Sequence, residues 1–152
     1  MSNANQFCTF YLDRLLFGVE LQKVQEVIRY QDVTRVPLAP RVVSGLINLR
    51  GQIVTAVDLR KRLDLPERPE GKLPMNVVMR TEDGGVSLQV DEIGDVVEVS
   101  EESSEEVPPT LQGVARELIK SACKLQDRLL LVLDIEKSCQ FSENPAQVQR
   151  LV

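Results

Sequence analysis

Residues 36–59, VPLAPRVVSGLINLRGQIVTAVDL, restrict the folding of this chain more than any other stretch. Gly45 to Arg50 and Ile53 to Val57 have the length and β-branching of strands, and Gly51-Gln52 between them is expected to form a two-residue turn with glycine supplying the positive φ. The result is a β-hairpin whose tip carries a single guanidinium. A rigid support that presents one arginine, with no nucleophile beside it, is built for recognition.

Short strands recur on both sides of this hairpin. Residues 7–12 and 15–20 (FCTFYL and LLFGVE) flank Asp13-Arg14 and read as a first hairpin. Leu21, Val24, Val27 and Ile28 follow at offsets of three and four, which predicts one or two helical turns before the chain extends from Tyr30 to Pro37. Pro37 and Pro40 hold that crossing extended, and Arg41 to Ser44 leave room for one further turn. After the loop from Leu65 to Pro74, Asn76 to Thr81 and Val86 to Val90 are joined by Glu82-Asp83-Gly84-Gly85, and Val96 to Val99 completes a second meander. Val107 to Gln112 is a loop around Pro108-Pro109. Leu125 to Ile135 contains a continuous apolar run between Arg128 and Asp134 with the character of a strand buried on both faces, and helix is expected from Glu136 onward. Residues 141–152 read as a tail.

Composition removes several classes of function. The 152 residues carry 23 acids against 18 bases, a formal charge of −5, so the whole-molecule field repels phosphate backbones and anionic lipid; nucleic-acid binding is not expected. There is no histidine and no tryptophan, which excludes Ser-His-Asp and Cys-His catalysis, phosphohistidine transfer and most zinc sites. Neither a catalytic set, a metal site nor a cofactor is expected. Cys8, Cys123 and Cys139 are odd in number, lack CxxC spacing and sit in or beside apolar runs, as reduced, buried thiols do. No secretory leader and no run of 18 apolar residues is present, so the expectation is a cytoplasmic protein that does not insert into membranes.

Two acidic features need a reading. Asp58, Asp91 and Asp134 each stand at the end of an apolar run. A trio of acids at one rim, or an Asp58–Asp91 pair in a small carboxylate enzyme, is one account. N-caps for the helices that follow Asp58 and Asp134, with a turn at Asp91, is the simpler one. The run from Glu98 to Glu106 holds five carboxylates in nine residues, lacks the pattern of a calcium loop and reads as a solvated loop.

Five segments together carry a family resemblance: Phe17-Gly18-Val19-Glu20, Val24-Gln25-Glu26-Val27, Val36-Pro37-Leu38-Ala39-Pro40, Gly45-Leu46-Ile47-Asn48-Leu49-Arg50-Gly51 and Val57-Asp58-Leu59-Arg60. In this order they resemble the CheW-like family of chemotaxis coupling proteins, over Phe7 to Cys139. The resemblance implies an all-β fold with short helices, made of two packed five-stranded SH3-like barrels in one domain over residues 5–140. The first barrel is expected at roughly 15–72 and the second at roughly 73–140, with the N-terminal strand shared. Departures from the family pattern fall at Ser87-Leu88 and in the charged, helix-prone stretch from Ala115 to Lys120.

The implied role is a non-catalytic adaptor between the cytoplasmic tips of methyl-accepting chemotaxis receptors and the regulatory domain of the histidine kinase CheA. A chain of this length looks like the free-standing coupler, serving a flagellar array or a non-flagellar one such as twitching or surface sensing. Carried across residue by residue, the resemblance assigns Leu21, Val24, Glu26, Arg50 and Gly51 to kinase binding. It assigns Gly45, Arg50, Val77 and Val78 to receptor binding in a groove between the barrels. Periodicity alone equally allows Leu21, Val24, Val77 and Val78 to be core, Gly45 and Gly51 to serve backbone geometry, and Arg50 to pair with an internal carboxylate.

Overall fold

The structure is a computed structural model that describes residues 5–82, 84–109 and 111–139. The tail at 141–152 lies outside the described residues, as do Asp83 of the Glu82–Gly85 turn and Thr110 of the Val107–Gln112 loop.

Strands β1 (Asn5–Leu12) and β2 (Leu15–Glu20) form the expected first hairpin, closed by the pair Leu12–Leu15 around Asp13-Arg14. The helix expected after it is reduced to one 3-10 turn, Leu21–Lys23, and Val24–Ile28 is a strand, β3. β3 pairs antiparallel with β6 (Met75–Thr81), and its register shifts between Val24 and Glu26. That irregularity explains the misreading: a bulge interrupts the two-residue alternation, so apolar residues fall at offsets of three and four without a helix.

β4 (Val43–Leu49) and β5 (Gln52–Asp58) are the central hairpin, but Leu49 pairs with Gln52, so the turn is Arg50-Gly51 and not Gly51-Gln52. Both turn residues have positive φ, 51° and 87°, as a two-residue hairpin with mirror-image twist requires. The amide of Gly51 donates to Asn48 Oδ1 at 2.9 Å, supporting the unusual arginine conformation. The one-turn helix α1 (Leu59–Arg62) follows. Its cap is Asp58, whose carboxylate accepts from the Arg60 amide.

β7 (Gly84–Val90) pairs with β6 as expected, but β8 (Glu92–Val99) does not complete that meander: it leaves the sheet and pairs antiparallel with β1. The acidic run is more ordered than a solvated loop: it forms the end of β8, a 3-10 turn at Glu101–Ser103 and a two-residue strand β9 (Ser104–Glu105). Backbone pairing of β9 with Ala122 and Cys123 leaves its side chains exposed, which is why glutamates are tolerated there. The charged stretch is helix α2 (Val114–Leu118), burying Ala115 and Leu118, and it runs directly into β10 (Ile119–Lys124). β11 (Leu129–Leu133) and the short α3 (Ile135–Ser138), capped by Asp134 through the Lys137 amide, are the last described elements.

The strands form two sheets, in the orders β3-β6-β7-β5-β4 and β8-β1-β2-β11-β10-β9. Apart from the short β9, the two orders are equivalent. Each has an outer strand, a central hairpin, one parallel pairing (β5 with β7, β2 with β11) and a second hairpin. These are the two SH3-like units expected. Their boundaries are not the expected ones, because β1 and β2 (5–20) belong with the C-terminal strands and β6 and β7 (75–90) with the central hairpin. The parallel pairings cause this, since each brings a strand remote in sequence into the middle of a sheet.

One apolar cluster is common to both sheets, joining Phe10, Phe17 and Val19 to Val57, Val77 and Met79 and to Leu131 and Leu133. Phe10 and Phe17 stack with centroids 6.2 Å apart and are fully buried. Removing either ring should cost about 3–5 kcal/mol. The two sheets are therefore held by shared core, and the chain crosses between them at Glu20–Val24 and again at Val90–Glu92.

Candidate functional site

The candidate kinase-side residues come from the crossing after β2 and from the two outer strands of the five-stranded sheet. Leu21 and Val24 are half-buried, each packing one side against the common core and leaving the other accessible. Glu26 lies on β3 and Arg50 on the β4–β5 turn, that is, on the first and last strands of the sheet order. Arg50 Nη2 nevertheless donates to Glu26 Oε1 at 2.5 Å and Oε2 at 2.6 Å. The ion pair thus ties the two outer strands together, and the Thr34–Leu46 bridge separately brings the chain after β3 onto β4. Its two ends differ in exposure: the Arg50 side chain is 71% exposed and the Glu26 side chain 24%. The carboxylate orients a guanidinium that keeps most of its surface exposed. The hydrogen bond to Glu26, with that carboxylate's negative charge, raises the Arg50 pKa, so the guanidinium stays cationic.

Gly51 supplies the positive φ of the turn, and a Cβ there would meet nothing within 4 Å. Gly45 differs. Its φ is 149° and a Cβ would lie 2.2 Å from the Thr34 carbonyl oxygen, so glycine is demanded by the close approach of the Thr34–Leu46 bridge. Val77 and Val78 do not line an open groove. Both side chains are completely buried, Val77 in the common core and Val78 with Ile47 and Val54 in the interior of the five-stranded sheet. β6 lies between β3 and β7, and both of its faces are covered. These two valines therefore shape the surface without forming it. Exposed apolar side chains nearby are Val27 on β3, which the offsets of three and four had singled out, and Tyr30 after β3 and Ile53 on β5, which they had not.

A second ionic cluster is interior. Arg60 on α1 has a side chain only 6% exposed; it donates through Nε and Nη2 to Asp91 and through Nη1 to the carbonyls of Pro66 and Glu67. Arg68 donates from Nε to Asp91 at 2.9 Å and places Nη2 3.8 Å from Asp58. The Asp13 amide donates to the same Asp91 carboxylate. Burial works to raise the Asp91 pKa, but the hydrogen bonds from Arg60, the Asp13 amide and Arg68 outweigh it and hold the group below the ordinary aspartate value. Asp58 and Asp91, the pair considered for acid–base chemistry, are thus neutralised by arginines, and Asp91 stays ionised where a general acid needs a raised pKa. Sequence reading missed Arg60 and Arg68 because their partner is 31 and 23 residues away.

The thiols offer no better nucleophile. Burial raises the pKa of Cys8 and Cys123, and pushes Cys139 up to about 12, so all three stay protonated at neutral pH. Among the described residues no group of three or more Cys, Asp or Glu side chains is arranged to hold a metal ion, and no helix is long and apolar enough to cross a membrane.

The family model for the CheW-like domain matches residues 6–142, nearly the whole chain. The chain belongs to the CheW-like domain family. A Chemotaxis protein CheW from Treponema pallidum is 33% identical over 136 residues, covering 87% of this chain and 80% of that protein. The Chemotaxis protein CheW of Bacillus subtilis is 30% identical over 151 residues, 97% of each chain. Among solved structures, the scaffolding protein TtCheW from Thermoanaerobacter tengcongensis superimposes with a TM-score of 0.82 at 24% identity, covering 93% of this chain and 97% of that one. That likeness bears out the paired SH3-like architecture. Within this CheW-like domain, the residues of the family motifs separate into accessible positions, exposed Arg50 with half-buried Leu21, Val24 and Glu26, and interior positions, with Gly45, Val77 and Val78.

Proposed function

We propose that the protein is a non-catalytic adaptor of bacterial chemotaxis signalling that works in the cytoplasm. It holds the cytoplasmic tip of a methyl-accepting receptor next to the regulatory domain of the histidine kinase CheA. The observation that carries this reading is the Arg50–Glu26 pair: a guanidinium oriented by a carboxylate across two outer strands, mostly exposed, beside half-buried Leu21 and Val24. Such an edge suits a like-folded regulatory domain, with apolar contact from Leu21 and Val24 and directed polar contact from Arg50. The receptor tip occupies the groove between the two sheets, whose walls Gly45, Val77 and Val78 shape from behind. Individually weak contacts suffice in an array, where many copies raise the effective concentration of each site.

Membership of the family and the neutralised Asp58–Asp91 pair both support an adaptor over a carboxylate enzyme. The test is titration calorimetry of the purified protein against a CheA regulatory-domain fragment and a receptor-tip fragment, with Arg50→His compared with the parent. Weakened kinase-fragment binding by a variant with an unchanged melting curve supports the assignment. A folded Arg50→His protein that binds both fragments normally removes Arg50 from the site.

A further inference from the structure

The two sheets have the same strand order, so their short terminal helices are equivalent: α1 follows β5 and α3 follows β11, each capped by an aspartate at the same offset. Counting from those caps, Arg62 occupies in α1 the place that Ser138 occupies in α3. The two positions meet. Arg62 donates from Nε to the Ser138 carbonyl at 3.0 Å and from Nη2 to the Lys137 carbonyl at 2.8 Å. A guanidinium from one sheet's helix therefore fills the C-terminal carbonyls of the other's, where a cation is favoured both by hydrogen bonding and by the helix dipole. Burial lowers the Arg62 pKa, as expected of a charge drawn partly out of water to make this contact.

We propose that Arg62 is a positioning residue, spanning the two sheets through α3 and thereby setting the groove between them. The contact is separate from Val24, Glu26 and Arg50, which are held by β3 and the β4–β5 turn, whereas Leu21 belongs to the crossing itself. It continues outward, however: Glu136, on the same α3 turn, accepts from Lys23 Nζ at 3.0 Å beside the Glu20–Val24 crossing. Arg62 thus anchors the helix against which that crossing leans. The shared apolar core holds the sheets in contact but is non-directional, whereas two N–H groups aimed at two carbonyls specify one relative placement. The functional part of this inference rests on the adaptor reading; the structural part does not.

The test is Arg62→Met, which keeps an unbranched apolar stem and removes the donors. Spin labels carried on non-cysteine unnatural side chains at exposed Arg80 of β6 and exposed Asp95 of β8 report the distance between sheets. The parent is expected to give one narrow distance distribution and Arg62→Met a broader one. Affinity for the receptor-tip fragment should fall about tenfold while affinity for the kinase fragment stays within about twofold. Arg62→Lys, which retains a donor able to reach one carbonyl, should recover part of the receptor affinity. An unchanged distance distribution overturns the proposal. So does an equal loss of affinity for both fragments, which is what general destabilisation produces. Should the parent bind neither fragment, the adaptor reading fails, and the distance distributions alone still decide whether Arg62 positions the sheets.

Discussion

The chain passes between its sheets twice, at Glu20–Val24 and at Val90–Glu92, and equivalent backbone passages are fastened by opposite chemistry. At the second, an interior arginine pair grips Asp91 and draws in the Asp13 turn and the Pro66–Glu67 backbone. At the first, Glu20 meets Lys120 at 2.5 Å and Lys23 at 3.9 Å, and Lys23 meets Glu136, all with side chains roughly a third exposed or more. Arg60 and Glu136 sit at equivalent offsets in α1 and α3, so the same position carries opposite charge in the two halves. The difference teaches which passage fixes the fold and which can adjust. A half-buried carboxylate bonded on both oxygens to a buried arginine resists rearrangement, whereas exposed lysines exchange partners at little cost. The adjustable passage is the one adjoining Leu21 and Val24.

The largest effect should come from Asp91→Ala, which strands Arg60 and Arg68 without their counter-charge. It should cost about 3–5 kcal/mol, measured by urea denaturation. A loss under about 1 kcal/mol would mean that the two passages are energetically alike. Glu20→Ala, by contrast, should cost at most about 1 kcal/mol.

Acid should separate them next. Asp91 and Glu20 both have folded pKa values below their unfolded ones, Asp91 through bonds that overcome burial and Glu20 mainly through the Lys120 hydrogen bond. Each therefore contributes stability that is complete above the unfolded value, about 4, and lost as pH falls through the folded one. Equilibrium unfolding between pH 5 and 2, taken as round bench values spanning that window, should lose most of its pH dependence in Asp91→Asn and little in Glu20→Gln. Lys23 behaves oppositely: its pKa is raised by Glu136, so its contribution is present below the unfolded lysine value and disappears only as pH rises through the folded one.

The smallest effect is that of salt. Raising ionic strength to about 1 M, where screening acts within about 3 Å, should erase the small stability difference between Glu20→Gln and the parent while leaving the Asp91→Asn difference largely intact.

The same contrast between local and remote partners explains what could be read in the chain. The hairpins at 7–20 and 45–57 were legible because alternation and turn residues are adjacent, and the caps Asp58 and Asp134 because each bonds an amide two or three residues on. The central turn was displaced by one residue because an arginine in the left-handed region is not signalled by composition. β3 was mistaken for helix because its bulge imitates helical spacing. The division into sheets was not legible, since parallel pairing of β2 with β11 leaves no local mark. Of the site, the motif located Arg50 and Glu26, but their bond across the outer strands, the burial of Val77 and Val78, and the Arg60–Asp91–Arg68 cluster all depend on residues brought together only by the completed fold.

Sedimentation velocity of the purified protein mixed with receptor-tip and kinase regulatory-domain fragments tests the adaptor account most directly. The account predicts one boundary containing all three components, reduced to the receptor pair alone when Arg50 is replaced by histidine. Mutually exclusive binding, or a boundary in which the protein sediments free of both fragments, would contradict it.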